Sequence, residues 1–256
     1  MKVLSVQSNI YWENPNKNFS NISKLLDPFE SCDLIVLPEM FNTGFSMESS
    51  KISETKLGKS INWLKELAKI KQATVISSLA IEEENKYYNR LYCVSPTGGL
   101  KHYNKRHLFR MAGENQYYEP GIENLTIKVK EFRIRPMICY DLRFPVWSRN
   151  INNADYDCLI YIANWPAKRT LAWTSLLRAR AIENQAYVIG VNRVGIDGNE
   201  VRYSGDSRVF DFSGQRMDEF QTNQIQVQVT DLNINQLTNY RKNFPCGMDA
   251  DLFKIL

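Results

Sequence analysis

Residues 131–145 read Glu131-Phe-Arg-Ile-Arg-Pro-Met-Ile-Cys139-Tyr-Asp-Leu-Arg143-Phe-Pro145. An apolar, strand-like run through Phe132, Ile134, Met137 and Ile138 delivers a thiol, and a charged, turn-like stretch follows at once. A thiol at the abrupt end of a buried strand is a poor packing choice and a good place for a nucleophile. A tight turn there presents the side chain to substrate and leaves backbone N–H groups to face an oxyanion. The carboxyl ends of such strands are where α/β folds gather ligand groups.

On either side of this stretch the period of the apolar residues switches repeatedly. Val3, Leu4 and Val6 predict a first strand, and Phe19, Ile22, Leu25 and Leu26 sit at helical spacing. Leu34 to Leu37 form a wholly apolar run ended by Pro38, which suits a strand buried on both faces. Ile61, Leu64, Leu67 and Ala68 predict an amphipathic helix, and Val75 to Ile81 a strand. Tyr87 to Val94 with the turn Pro96-Thr-Gly-Gly99 reads as a hairpin. Cys158 to Ala163 and Ala186 to Val194 are further strands around a helix from Leu171 to Gln185, with Arg178, Arg180 and Glu183 partly outside. Arg208 to Phe212 and Ile225 to Val229 flank the turn Ser213-Gly214 and predict an antiparallel pair. The alternation predicts an α/β fold with a mixed sheet, or two sheets covered by helices.

The 256 residues are 43% hydrophobic and 23% charged, with no linker-like or low-complexity tract, so residues 1–256 read as one domain. The net charge of +4 comes from 32 basic and 28 acidic residues that are well mixed, too weak a bias to argue for nucleic acid or a membrane surface. The first ten residues are too short and polar for a secretion signal, and no apolar run approaches a membrane span. Five cysteines without a close pair predict reduced thiols and a cytoplasmic protein. Cys32 and Cys158 sit in apolar runs and read as inert core thiols. Asn18, Asn21 and Asn124 open chance sequons. Gly58-Lys59-Ser60 lacks the earlier glycine of a phosphate loop, and Cys93, His102 and His107 lack zinc spacing.

A thiol with an ordinary pKa is only about a few per cent ionised at neutral pH and needs a base or a cation. The chain has two histidines, so a cysteine–histidine dyad would need His107. A stronger base is Glu39, placed like Cys139 directly after a buried strand, in Leu34-Ile-Val-Leu-Pro-Glu39-Met-Phe. Lys105, in Tyr103-Asn-Lys105-Arg-His-Leu-Phe109, supplies a cation for both a thiolate and an oxyanion. Taken singly, Glu39 reads as a solvated loop residue and Lys105 as an ordinary surface lysine in a basic loop.

Leu-Pro-Glu39-Met-Phe, Asn-Lys105-Arg-His-Leu and Ile-Cys139-Tyr-Asp-Leu-Arg-Phe-Pro, in that order, resemble the three catalytic signatures of the carbon–nitrogen hydrolase (nitrilase) superfamily. Ala179-Arg-Ala-Ile-Glu-Asn-Gln185, Gly190-Val-Asn-Arg-Val-Gly195 and Ser204-Gly-Asp-Ser-Arg208 extend the resemblance along the chain. The resemblance implies a four-layer αββα sandwich, two mixed sheets face to face with helices outside, and a homodimer with the Cys139 region near its interface. It implies hydrolysis of a non-peptide C–N bond through a thioester, without metal or organic cofactor. Glu39 would be the general base and acid, Lys105 the oxyanion stabiliser, Cys139 the nucleophile and the Tyr140 N–H a second oxyanion donor. Glu114, six residues before Pro120-Gly121, fits a further family glutamate better than Glu119 and would hold Lys105.

Cys139-Tyr-Asp-Leu-Arg143-Phe-Pro, Ala163-Asn164-Trp165-Pro166 and the ending Phe244-Pro…Asp249-Ala-Asp-Leu-Phe253 are most similar to the omega-amidase branch, which acts on 2-oxoglutaramate or 2-oxosuccinamate. Such a substrate needs a cation for its carboxylate, and Arg143 is suited to bind one bidentately; as a structural ion-pair residue it would do nothing of the kind. Phe45 stands where several omega-amidases carry a tyrosine, which removes one hydrogen bond to that carboxylate. Trp165 reads as a pocket wall or as plain core. An N-carbamoyl amino acid hydrolase or a nitrilase would share Glu39, Lys105 and Cys139, and an inactive member would serve as a binding protein.

Overall fold

The computed structural model describes residues 1–151, 155–251 and 253; Leu252, within the C-terminal segment of the resemblance, lies outside them. In chain order the elements are β1 (Lys2–Gln7), α1 (Pro15–Leu26), β2 (Leu34–Val36), α2 (Ser49–Ile52), α3 (Lys59–Lys71), β3 (Thr74–Glu83), β4 (Lys86–Val94), β5 (Leu100–Asn104), α4 (Glu114–Tyr117), β6 (Ile127–Val129), β7 (Phe132–Ile138), β8 (Cys158–Ala163), α5 (Thr170–Asn184), β9 (Tyr187–Asn192), β10 (Val194–Ile196), β11 (Arg202–Ser204), β12 (Arg208–Phe210), β13 (Gln226–Asp231) and α6 (Ile234–Asn243). Two mixed sheets carry the fold. One has the order β13-β1-β2-β3-β4-β5 and the other β12-β9-β8-β7-β6, while β10 and β11 form a small hairpin.

The two sheets face each other because central strands such as β2 and β8 are apolar on both sides. In β2, Leu34 and Val36 join the core shared with the second sheet, whereas Ile35, with Leu37 just after the strand, joins the core under the helices. That outer core is closed by Phe19, Ile22 and Leu26 of α1 and by Ile61, Leu64, Leu67 and Ala68 of α3. On the far side, Trp173, Leu177 and Ala181 of α5 pack on the second sheet. Helix, sheet, sheet and helix are the four layers of an αββα sandwich.

Local chemistry sets the helix ends. Asn14 caps α1, its side chain accepting from Lys17 N at 3.1 Å, with Pro15 in the first turn. α5 lies so close to β9 that a Cβ on Gly190 would sit 2.3 Å from Leu177 Cδ1. Only glycine fits there.

Two expectations change. Residues 208–212 and 225–229 do not pair with each other: β12 lies antiparallel on β9, and β13 antiparallel on β1 in the other sheet. The reason is edge coverage, since β9 and β1 would each otherwise end their sheets with open hydrogen-bonding groups. The outer side of β12 is in turn closed by Met217 N donating to Val209 O and by the Asp218 carboxylate accepting from Val209 N. Arg180, expected partly outside on α5, is buried. Its Nη2 donates to Leu142 O at 2.7 Å, and its Nη1 pairs with Glu183 at 2.9 Å. The turn after Cys139 leaves a buried carbonyl that needs this donor.

No helix of the described residues is long and apolar enough to cross a membrane.

Candidate active site

Four strand ends meet at one edge of the seam between the sheets. Glu39 follows β2 through Leu37-Pro38, Lys105 follows β5, Cys139 follows β7 and Asn164 follows β8. Glu39, Lys105 and Glu114 are fully buried. The Lys105 ammonium donates to Glu39 Oε1 at 2.9 Å and to Glu114 Oε1 at 3.0 Å. Asn89, on β4, donates to the same two carboxylates, at 2.8 Å and 3.2 Å. The second Glu39 oxygen accepts Asn164 N at 2.7 Å, and Asn164 Nδ2 donates to the Glu39 carbonyl at 2.6 Å. The second Glu114 oxygen accepts Phe109 N at 2.5 Å. Lys105 Nζ also lies 4.9 Å from the centre of the Phe45 ring. Glu119 stays exposed, outside this cluster.

Cys139 sits at φ 45°. This left-handed conformation is uncommon for a residue with a side chain and marks a sharp elbow. A short 3₁₀ turn, Cys139–Arg143, follows at once. Its first N–H groups, Tyr140's included, have no partner within the turn. Asp141 locks the elbow. One of its oxygens accepts Ile138 N at 3.0 Å and Tyr103 OH at 2.8 Å; the other accepts His107 N at 3.0 Å and lies 2.8 Å from His107 Nδ1. Asp141 thereby ties the Cys139 turn to the loop carrying Lys105. The His107 ring stacks on Phe144 at 3.7 Å, so His107 serves Asp141 and the turn and not Cys139.

The charges explain the titration. Burial pulls the Lys105 ammonium down, but Glu114 and Glu39 beside it prevail and hold it above its ordinary pKa. Burial pushes the Glu114 carboxyl up against the pull of Lys105, and the Glu39 charge adds to the rise. Burial, then the Glu39 charge, push the Cys139 thiol well above its ordinary value; Lys105 acts against them, and a hydrogen bond to Glu39 favours the protonated thiol. At rest the thiol is therefore held in its neutral form, with the Glu39 side chain and the Lys105 ammonium beside it.

Above the thiol opens a cavity of about 480 Å³. Cys139, Tyr140, Arg143, Asn164, Trp165 and Phe45 all line it. Arg143 lies over the Trp165 ring at 5.2 Å and has no ion-pair partner among the described residues. Trp165 is both wall and core: its backbone N–H donates to Asn192 Oδ1 at 2.8 Å, and its indole N–H donates to Arg169 O at 2.9 Å. Among the described residues no group of His, Cys, Asp and Glu side chains could hold a metal ion.

Asn89, Tyr103, Asp141 and Arg169 were not singled out from the sequence. Asn89 carries one visible signal, a short polar side chain beside Tyr88 on a strand that is mostly aromatic and apolar. Asp141 had another, a carboxylate two residues after the thiol.

A buried glutamate–lysine–cysteine cluster at the edge of an αββα sandwich is the arrangement of one class of hydrolase. The chain belongs to the carbon–nitrogen hydrolase family, whose model matches residues 2–242. It is 42% identical over 255 residues to Omega-amidase YafV of Escherichia coli (strain K12), covering all of this chain and 98% of that protein. It is 31% identical over 218 residues to 2-oxoglutaramate amidase of Bacillus subtilis (strain 168), with 84% of each covered. Among solved structures, a CN-hydrolase superfamily protein from Xanthomonas campestris with an arsenic adduct in its active site superposes with a TM-score of 0.97 at 40% identity, covering 100% of this chain and 99% of that one.

Proposed function

We propose that this amidase hydrolyses the terminal amide of a small dicarboxylate monoamide of the 2-oxoglutaramate or 2-oxosuccinamate type. One observation carries the substrate class: Arg143 lines the same cavity as Cys139, with no carboxylate partner among the described residues. A guanidinium left unpaired beside a nucleophile suits a substrate carboxylate. The names of the Escherichia coli and Bacillus subtilis relatives point the same way.

In the proposed cycle Glu39 takes the proton of the Cys139 thiol as sulfur bonds to the amide carbonyl carbon. The carbonyl electron pair moves onto oxygen, where Lys105 Nζ and the Tyr140 N–H stabilise it. Glu39 returns the proton to nitrogen, the C–N bond breaks and ammonia leaves a thioester. Glu39 then takes a proton from water, hydroxide attacks the thioester carbon, and the departing thiolate regains the proton. Glu114 and Asn89 hold Lys105 and Glu39 in place. Phe45 offers Lys105 a ring face and no hydrogen bond, so the carboxylate of the substrate rests on Arg143.

The buried thiols suit a reducing, cytoplasmic setting. A homodimer is supported by the exposed apolar side chains Leu171 and Ile182 on α5 and by Phe244 and Met248 near the C-terminus.

The test is ammonia release from 2-oxoglutaramate, compared with a nitrile and an N-carbamoyl amino acid of matched length. Turnover of the omega-amide, lost in Cys139→Ala with the fold intact, supports the reading. Turnover confined to the nitrile or the carbamoyl compound, or wild-type rates in Cys139→Ala, would overturn it.

A further inference from the structure

The cavity carries a second arginine that the cycle leaves unused. Arg169, at the end of the short 3₁₀ turn Ala167–Arg169 that leads into α5, lines the same cavity as Arg143. Its guanidinium lies over the Phe109 ring at 5.5 Å and donates to Met111 Sδ at 3.2 Å. A thioether sulfur is a weak acceptor, and Arg169 has no carboxylate partner among the described residues. Trp165 couples the two arginines, its ring beneath Arg143 and its indole N–H on the Arg169 carbonyl.

The charges around the mouth are lopsided. Arg143, Lys168 and Arg169 line the cavity against one carboxylate, Asp197. Asp197 is occupied within its own loop: one oxygen accepts Asn199 N and Val201 N, the other Tyr203 OH. Deeper in, Glu39 and Glu114 outnumber Lys105. The unpaired cationic side chains thus gather where the far end of the substrate would lie.

We infer that Arg169 is a specificity-determining residue, which together with Arg143 selects omega-amides of 2-oxo acids over omega-amides of amino acids. This deepens the reading above and rests on it. The oxo oxygen and the carboxylate of a 2-oxo acid are adjacent acceptors, suited to two guanidinium groups. The same position in glutamine or asparagine carries an ammonium. That cation meets two arginines and finds Asp197, the one carboxylate among the described cavity-lining residues, already taken by three donors, so it is repelled and left unpaired.

The experiment compares wild type with Arg169→Gln and Arg169→Lys on 2-oxoglutaramate, on glutamine and on pentanamide, which has the chain length without charge. The readout is the ratio of kcat/KM between substrates. In Arg169→Gln the preference for 2-oxoglutaramate over pentanamide falls about ten- to a hundredfold, the range for losing a hydrogen bond to a charged group, mainly through KM. The preference over glutamine narrows with it. Arg169→Lys keeps the charge and loses the fork, so it falls between, and it provides the same readout if the glutamine variant folds poorly. Ratios within twofold of wild type, or equal losses on all three amides, overturn the assignment of Arg169 and leave the amidase reading standing. A wild type that hydrolyses no omega-amide overturns both.

Discussion

Replacing Asp141 with asparagine keeps the shape of the elbow and removes its charge. Asp141 is fully buried and receives Ile138 N, Tyr103 OH, His107 N and the His107 ring nitrogen. In the amide one of its two acceptor oxygens becomes an NH₂ group. Tyr103 OH can rotate and the His107 ring can change tautomer to accept from that group. Ile138 N and His107 N cannot, so one buried backbone donor loses its acceptor in either orientation. That costs about 1–3 kcal/mol, and the remaining bonds fall from charge-assisted to neutral, which adds roughly 1–2 kcal/mol. The expected loss is about 2–5 kcal/mol, against a total of about 5–15 kcal/mol for a typical domain. Urea unfolding of both proteins at pH 7, with matching slopes, measures it. Because Asp141 joins the Cys139 turn to the Lys105 loop, kcat falls more than KM rises. A stability change under 1 kcal/mol, or a full loss of stability with wild-type kcat, would refute the reasoning.

Three further outcomes follow from the same geometry. Glu114→Gln removes a charge that holds the Cys139 thiol up, so the pH profile of iodoacetamide alkylation moves to lower pH, while amide turnover drops about a hundredfold as Lys105 loses its tether; a profile moving to higher pH contradicts this. Burial raises the pKa of Cys32 to about 11 and drives Cys93, Cys139 and Cys158 up as well. In the unfolded chain these thiols ionise near pH ~8.5, so their contribution is fully present below that pH and is lost as pH rises toward the folded values, at about 1.4 kcal/mol per pH unit per thiol; stability under reducing conditions that stays flat from pH 8 to 10 rules it out. Gly190→Ala places a methyl group 2.3 Å from Leu177 Cδ1 and costs about 1–3 kcal/mol by overpacking, with a raised KM because α5 starts directly after the cavity wall; calorimetry and kinetics together check both.

Much of this fold is legible locally because its strands and helices differ in apolar period. Leu34 to Leu37 announce a strand buried on both faces, and Phe19, Ile22 and Leu26 announce the helix that covers it. Sheet membership is not local. The hydrogen bonds that place β12 on β9 and β13 on β1 depend on which edges are open elsewhere, and the turn between residues 210 and 226 carries no sign of that choice. The same holds at the site. Glu39, Lys105, Glu114 and Cys139 stand out by type and by the residues around them, and the fold brings them together. Asn89 meets Glu39 from 50 positions away and Asp141 meets Tyr103 from 38, so no window of sequence contains either pair. The burial of Arg180 is not local either: its acceptor, Leu142 O, belongs to another element.

The position of the cluster at the seam has a consequence for how the molecule comes to life. Glu39 and Lys105 belong to the sheet built largely from residues 2–104, whereas Cys139 and Asn164 belong to the sheet built from residues 127–210. The Asn164 N–H on Glu39 is a bond from one sheet to the other. Neither stretch of chain holds a complete set of reacting groups. The two layers share one core, so the cluster is complete only when both sheets are packed on each other. The cluster is thus a reporter of docking between the two layers: whatever parts the sheets separates Glu39 and Lys105 from Cys139.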